Sequence, residues 1–115
     1  MTIADLEHRL GCTPLIPYLD APLAGAYTSD MLSDVMAHAP EDSVLITLQG
    51  HKNTVACASL AGVKAIVLAG QREAPDDMLA AATAEAIAVF ASSMRQFELS
   101  WRVAALLGLG VPPRF

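Results

Sequence analysis

Apolar positions along this chain switch between a helical period and unbroken runs, and the switches divide it into alternating elements. Ile3, Leu6 and Leu10 recur at i, i+3 and i+7. Residues 2–10 therefore read as a short amphipathic helix, stopped by Gly11. "CTPLIPYLDAPLAG" then places three prolines between Pro14 and Pro22, which predicts a loop with short extended pieces, because proline cannot donate to a central ladder. "AGAYTS" (24–29) reads as a strand. From Asp30 the helical period returns, with Met31, Leu32, Val35 and Met36 on one sector and Asp30, Ser33, Asp34, Ala37 and His38 opposite. Pro40 ends this helix, since the residue before proline avoids the helical region. The Met31/Met36 stripe reads as core.

From residue 43 the alternation is regular. "SVLITL" (43–48), "KAIVLAG" (64–70) and "IAVFAS" (87–92) are apolar runs of strand length. Between them, "NTVACASLAG" (53–62) reads as a helix closed by Gly62 and "PDDMLAAATAEA" (75–86) as a second, with two acids in its first turn where the helix dipole favours them. Ser93 and Gln96 have capping-box spacing and open a last helix running to about Gly108, followed by a short tail, "GVPPRF". Strands without polar alternation are expected where both faces are covered. The pattern predicts an α/β fold of three layers: a mostly parallel central sheet with right-handed crossovers and helices on both faces. No linker or internal repeat divides the chain, so residues 1–115 read as one domain.

Composition adds one feature to this picture. Hydrophobic residues make up 54% of the chain and charged residues only 17%, below the usual quarter. Helix 53–62 is small on nearly every side, and the last helix carries Phe97, Leu99, Trp101, Val103, Leu106 and Leu107, of which one face buries about half. The remainder is expected to meet a second copy, giving a homodimer. The net charge of −5 comes with seven scattered basic residues and no basic stripe, which argues against nucleic-acid binding. An uncharged run such as Asn53–Val63 falls far short of the ~20 residues that span a bilayer. The opening "MTIADLEHRL" has early acids and no basic start before an apolar run, unlike a secretory signal. A cytoplasmic protein with no membrane partner is expected, with Cys12 and Cys57 as reduced structural thiols.

The chemistry-bearing residues form no known catalytic set. GxxxxGK[ST], GxGxxG, HExxH and GxSxG are all absent. His8, His38 and His51 lack metal-ligand spacing. No catalytic residue, metal or cofactor is therefore assigned. Two stretches are candidates for ligand binding. "TLQGHKNT" (47–54) links the first core strand to a helix, where open parallel sheets bind ligands beyond the strands' carboxyl ends. Gly50 permits a tight turn there, Asn53 or Thr54 caps the helix, and His51 and Lys52 add donors; an ordinary strand-to-helix turn has the same ingredients. "GAYTSDMLSDVMAHAP" (25–40) stacks Thr28, Ser29 and Asp30 ahead of Ser33 and Asp34. Capping accounts for the first three, while Ser33 and Asp34 either face solvent or face a ligand. A helix feeding the first core strand starts near that strand's far end. The expected crevice thus gathers Ser29, Asp30, Ser33, Asp34, Thr47, Gln49, His51 and Asn53. A polar, nucleotide-like metabolite suits it better than a bare phosphate, which Asp30 and Asp34 would repel.

The order of these segments resembles the DRTGG domain family. The matching positions are Asp30, Leu32, Ser33, Asp34 and Val35, then Ile46 and Thr47, then Asn53, and late in the chain Phe97, Glu98 and Leu99. The likeness runs from about Ile3 to Leu109, although the literal string Asp-Arg-Thr-Gly-Gly is absent. It implies similarity to the non-catalytic N-terminal domain of HPr kinase/phosphorylase and to domains that accompany CBS modules in regulatory pyrophosphatases. The implied role is an accessory regulatory or ligand-sensing domain that dimerises, serving a separate kinase or metabolic enzyme. The alternatives are a dimeric interaction scaffold without a small ligand and, less favoured, a small enzyme. Kinase chemistry is not expected, because the sequence has no phosphate-binding loop.

Overall fold

The computed structural model describes residues 1–109; the predicted tail, 110–115, lies outside them. The chain forms α1 (Ile3–His8), β1 (Thr13–Pro14), β2 (Gly25–Thr28), α2 (Leu32–His38), β3 (Ser43–Thr47), α3 (Lys52–Ala61), β4 (Ala65–Leu68), α4 (Asp76–Ala84), β5 (Ala88–Ala91) and α5 (Gln96–Leu106). The five strands make one sheet in the order β1-β5-β4-β3-β2. β2 to β5 run parallel, and the short β1 lies antiparallel on the edge at β5. Pro14 is tolerated because it stands in an edge strand.

Alternation along the strands sends side chains to two apolar layers. Val44, Ile46, Val67 and Phe90 point to the face covered by Ile3 and Leu6 of α1 and Leu99 and Val103 of α5. Leu45, Ile66, Leu68 and Val89 point to the face covered by Val35 of α2, Val55 and Ala58 of α3 and Met78 and Ala82 of α4. The runs look uniformly apolar in sequence because both faces are sealed: every residue of β3 and β4 is buried. The α/β architecture with helices on both faces is as expected. α3 lies between α2 and α4, and its small residues permit that close packing. Gly62 closes it in the left-handed conformation, φ 80°, donating its N–H to the carbonyls of Ala58 and Ser59.

Several local expectations are corrected. α2 begins at Leu32, not Asp30, and no side chain caps it; the Asp30 carboxylate accepts from β3–α3 backbone and side-chain donors instead. Met31 and Met36 are 65% and 47% exposed. Inward packing from α2 falls to Val35, which is fully buried; Met31 precedes the helix as its N-cap, and Met36, the residue after Val35, is turned off the inward face. The Ser93/Gln96 capping box does not form. Arg95 is the N-cap of α5 without a side-chain bond, and the Gln96 amide reaches across to Asp30. α3 is capped by His51, whose Nδ1 accepts the Asn53 N–H at 3.0 Å, rather than by Asn53 or Thr54. Among the described residues no helix is long and apolar enough to cross a membrane.

Candidate functional site

The carboxyl edge of the parallel strands collects most of the polar side chains singled out by sequence. Asp30 sits where the chain leaves β2. Its Oδ1 accepts from the Leu48 N–H at 2.7 Å, the Thr47 hydroxyl at 3.1 Å and the Gln96 amide at 3.0 Å. The Gln49 amide donates to the Asp30 carbonyl at 3.1 Å, and the Thr54 hydroxyl donates to the Gln49 carbonyl at 2.8 Å. Thr47 is fully buried, and its Oγ1 also accepts the Gln49 N–H. One carboxylate therefore ties the exit of β2, the end of β3 and the start of α5 together. Beside it, the Thr28 and Ser100 hydroxyls share a 2.7 Å hydrogen bond, so α5 is pinned to β2 a second time.

The other residues stand apart from this knot. Asp34 accepts from the Tyr27 hydroxyl at 2.7 Å on the edge strand. That bond, followed by one from Ser29, holds its carboxyl below the usual range and raises the Tyr27 phenol. Ser29 accepts the Met31 N–H and closes a local turn. Ser33 is exposed. His51 and Asn53 are exposed and engage each other at the start of α3. The structure thus brings Asp30, Thr47 and Gln49 into one network, leaves Ser29 and Asp34 beside Tyr27, and leaves Ser33, His51 and Asn53 open to solvent. The Asp30 Oδ1 is occupied by protein donors, so what the network visibly does is bind the carboxyl edge to itself.

Sequence reasoning did not single out the next pair of strand exits. Beyond β4 the chain turns through Gly70 and Gln71, both in the left-handed region at φ 66° and 60°. Their N–H groups donate to the carbonyls of Met94 and Ser92, which follow β5. Outside this seam lies a cavity of about 560 Å³, lined by residues of β1 and its flanks, the 71–74 loop, α4 and the end of β5. The left-handed non-glycine at Gln71 has no sequence signature, and the loop reads there as an ordinary connection.

The two loop regions touch at Gly50. A Cβ there would fall inside the contact distance of the Glu73 carbonyl oxygen, whose backbone belongs to the neighbouring β4–α4 loop. Gly50 is thus required by close approach between loops. Gly50→Ala is expected to cost about 1–3 kcal/mol, the range for forced overpacking. A urea midpoint unchanged from the parent protein would contradict the close approach.

Among the described residues, no group of three or more His, Cys, Asp or Glu side chains is placed to hold a metal ion. Both cysteines are free thiols. Burial pushes the Cys12 thiol up to about 11, against a smaller opposing bond from Ser92, so it is neutral at physiological pH.

The fold is similar to part of a solved regulatory region, the CBS and DRTGG domains of the regulatory region of Clostridium perfringens pyrophosphatase, crystallised with the activator diadenosine tetraphosphate. The superposition has a TM-score of 0.57 at 15% sequence identity and covers 76% of this chain and 36% of that one. The present chain therefore spans about a third of that structure's length, and the likeness is one of fold. No family model matches the sequence, and neither does any curated protein.

Proposed function

We propose that this chain is a non-catalytic regulatory domain of the DRTGG type that senses a small nucleotide-like or phosphorylated ligand and works as a homodimer. The observation carrying the reading is the fold shared with a regulatory region crystallised with a nucleotide activator. The sequence order that resembles DRTGG domains supports it independently. The same reading makes residues 1–115 one regulatory unit acting in the cytoplasm on a separate kinase or metabolic enzyme. It assigns no HPr kinase activity, since phosphoryl transfer relies on a phosphate-cradling loop and a positioned metal and the sequence has no such loop. Of the residues proposed from sequence, Ser33, His51 and Asn53 are exposed, while Asp30, Thr47 and Gln49 are bonded to one another.

A thermal-shift screen of the full chain against nucleotides, diadenosine tetraphosphate and sugar and acyl phosphates tests the sensing role. A ligand that binds only the native state raises the melting temperature with concentration. No shift from any compound at millimolar concentration overturns it. A second reading, a dimeric scaffold without a small ligand, is favoured by the outer face of α5. Phe97 and Trp101, one turn apart, are 84% and 50% exposed there. Both readings predict a dimer, and light scattering that gives a concentration-independent 12.1 kDa species overturns that part of each.

A further inference from the structure

We infer that the cavity outside the ends of β4 and β5 is the ligand site of this chain, and that it takes a nucleoside monophosphate. The inference rests on the sensing role proposed above and gives it a location different from the Asp30 edge. β2, β3 and β4 all send their following helices to one face of the sheet, whereas β5 sends α5 to the other. β4 and β5 are therefore the adjacent parallel strands whose exits diverge. Divergent exits open a crevice at the carboxyl ends, the place where open α/β sheets bind ligands. At β2 and β3 the exits follow the same side, and the edge is closed by Asp30.

The cavity measures about 560 Å³, within the roughly 300–1,000 Å³ of small-molecule sites. Leu15 and Leu79 give it an apolar wall suited to the flat face of a base. Thr13, Gln71 and Ser93 supply hydroxyls and an amide for base edges and ribose. Gln71 is held in place by its backbone bond to Ser92 and by its left-handed turn. Arg72 is the one cation among the lining residues, and its guanidinium fork matches a single phosphate. Glu73 lines the same cavity, and the first turn of α4, with Asp76 and Asp77, follows the loop directly. A single guanidinium with a carboxylate, Glu73, in the same lining disfavours a polyphosphate chain. A base, a sugar and one phosphate are what the lining matches.

The test uses the full chain and adenosine, AMP, ADP and ATP as probes, with binding followed by calorimetry and by amide chemical shifts. AMP is expected to bind, with ATP no tighter, and to move the amides of residues 71–74 and 91–93. Arg72→Ala is expected to weaken AMP about tenfold, the loss of one charge-assisted contact. Ser93→Trp, an exposed position on the cavity rim, is expected to abolish binding by filling it, and Arg102→Ala, exposed on α5 and outside the lining, to leave it unchanged. Unfolding curves that match the parent protein establish that both cavity variants are folded. Equal AMP affinity in both variants overturns the location. Shifts confined to residues 30–53 do the same, and ATP binding tenfold tighter than AMP overturns the ligand class. If AMP does not bind but another compound in the screen does, this inference falls while the sensing role stands. If no compound binds, both fall.

Discussion

Phe90→Ala lowers the stability of this protein by about 3–5 kcal/mol, the range for truncating a buried phenylalanine. Phe90 is fully buried in the middle of β5 and has the largest side chain among the fully buried residues. Its strand is flanked on both sides, by Val67 of β4 and Pro14 of β1. Its ring packs against Tyr18 at 5.1 Å between centroids, tilted by 59°, a geometry that adds to simple area burial. Removing the ring opens a void between the sheet and the layer formed by α1, α5 and the proline-rich loop. Backbone pairing on both edges of β5 keeps the strand from collapsing into that void, which places the cost toward the upper end. Urea unfolding of the full chain measures it. A loss below about 1 kcal/mol, the size of an ordinary substitution, would show that the site relaxes and that Phe90 does not organise this layer. Tyr18 is held from its other side by Glu7, whose carboxylate accepts its hydroxyl at 2.8 Å; burial and this bond push the phenol up to about 12. The loop that covers Phe90 is thereby anchored to α1.

Asp30→Ala is expected to cost about 2–4 kcal/mol, more than a lost helix cap, which costs about 1 kcal/mol. The carboxylate accepts three donors through one oxygen, and two of them, the Leu48 N–H and the Thr47 hydroxyl, lie at the end of a wholly buried strand. Deleting the acceptor leaves those donors without a partner at a half-buried site where Thr47 is fully buried. The loss of a desolvated partner is what makes such deletions expensive. It also releases Gln96, whose contact crosses 66 residues of chain to hold the start of α5. Asp30→Asn keeps an acceptor oxygen in place and should cost roughly 1 kcal/mol, because only the charge assistance is lost. Equal and small costs for the two substitutions, near those of an exposed cap, would sink the clamp. A further readout separates the two accounts: in the clamp, Asp30→Ala and Gln96→Ala are non-additive, as expected for direct partners.

The sequence by itself determined the order and type of the elements and the two-sided burial of the sheet. Apolar runs at 43–48, 64–70 and 87–92 became β3, β4 and β5, and the helical periods between them became α3 and α4. Those features are legible because periodicity reports how a whole element meets its surroundings, and Gly62 acts within its own helix end. The meeting of Asp30, Thr47 and Gln49 was also within reach, because a helix packed beside its strand must begin near that strand's far end. Only the tertiary structure decided what those groups do there. The Gln96 amide that reads as half of a capping box is taken by a carboxylate 66 residues away, and a bond of that span leaves no local pattern. Met31 and Met36 lie on the apolar side of a helical wheel, yet Met31 precedes α2 and Val35 takes the inward position, so both methionines stand exposed. The face chosen by α5 is likewise set by which side of the finished sheet still needed covering. That choice makes the exits of β4 and β5 diverge and opens the cavity beside Arg72 and Ser93. Local sequence encodes what each segment can bury; the sides on which segments leave the sheet, and the clefts between them, are settled when the layers pack.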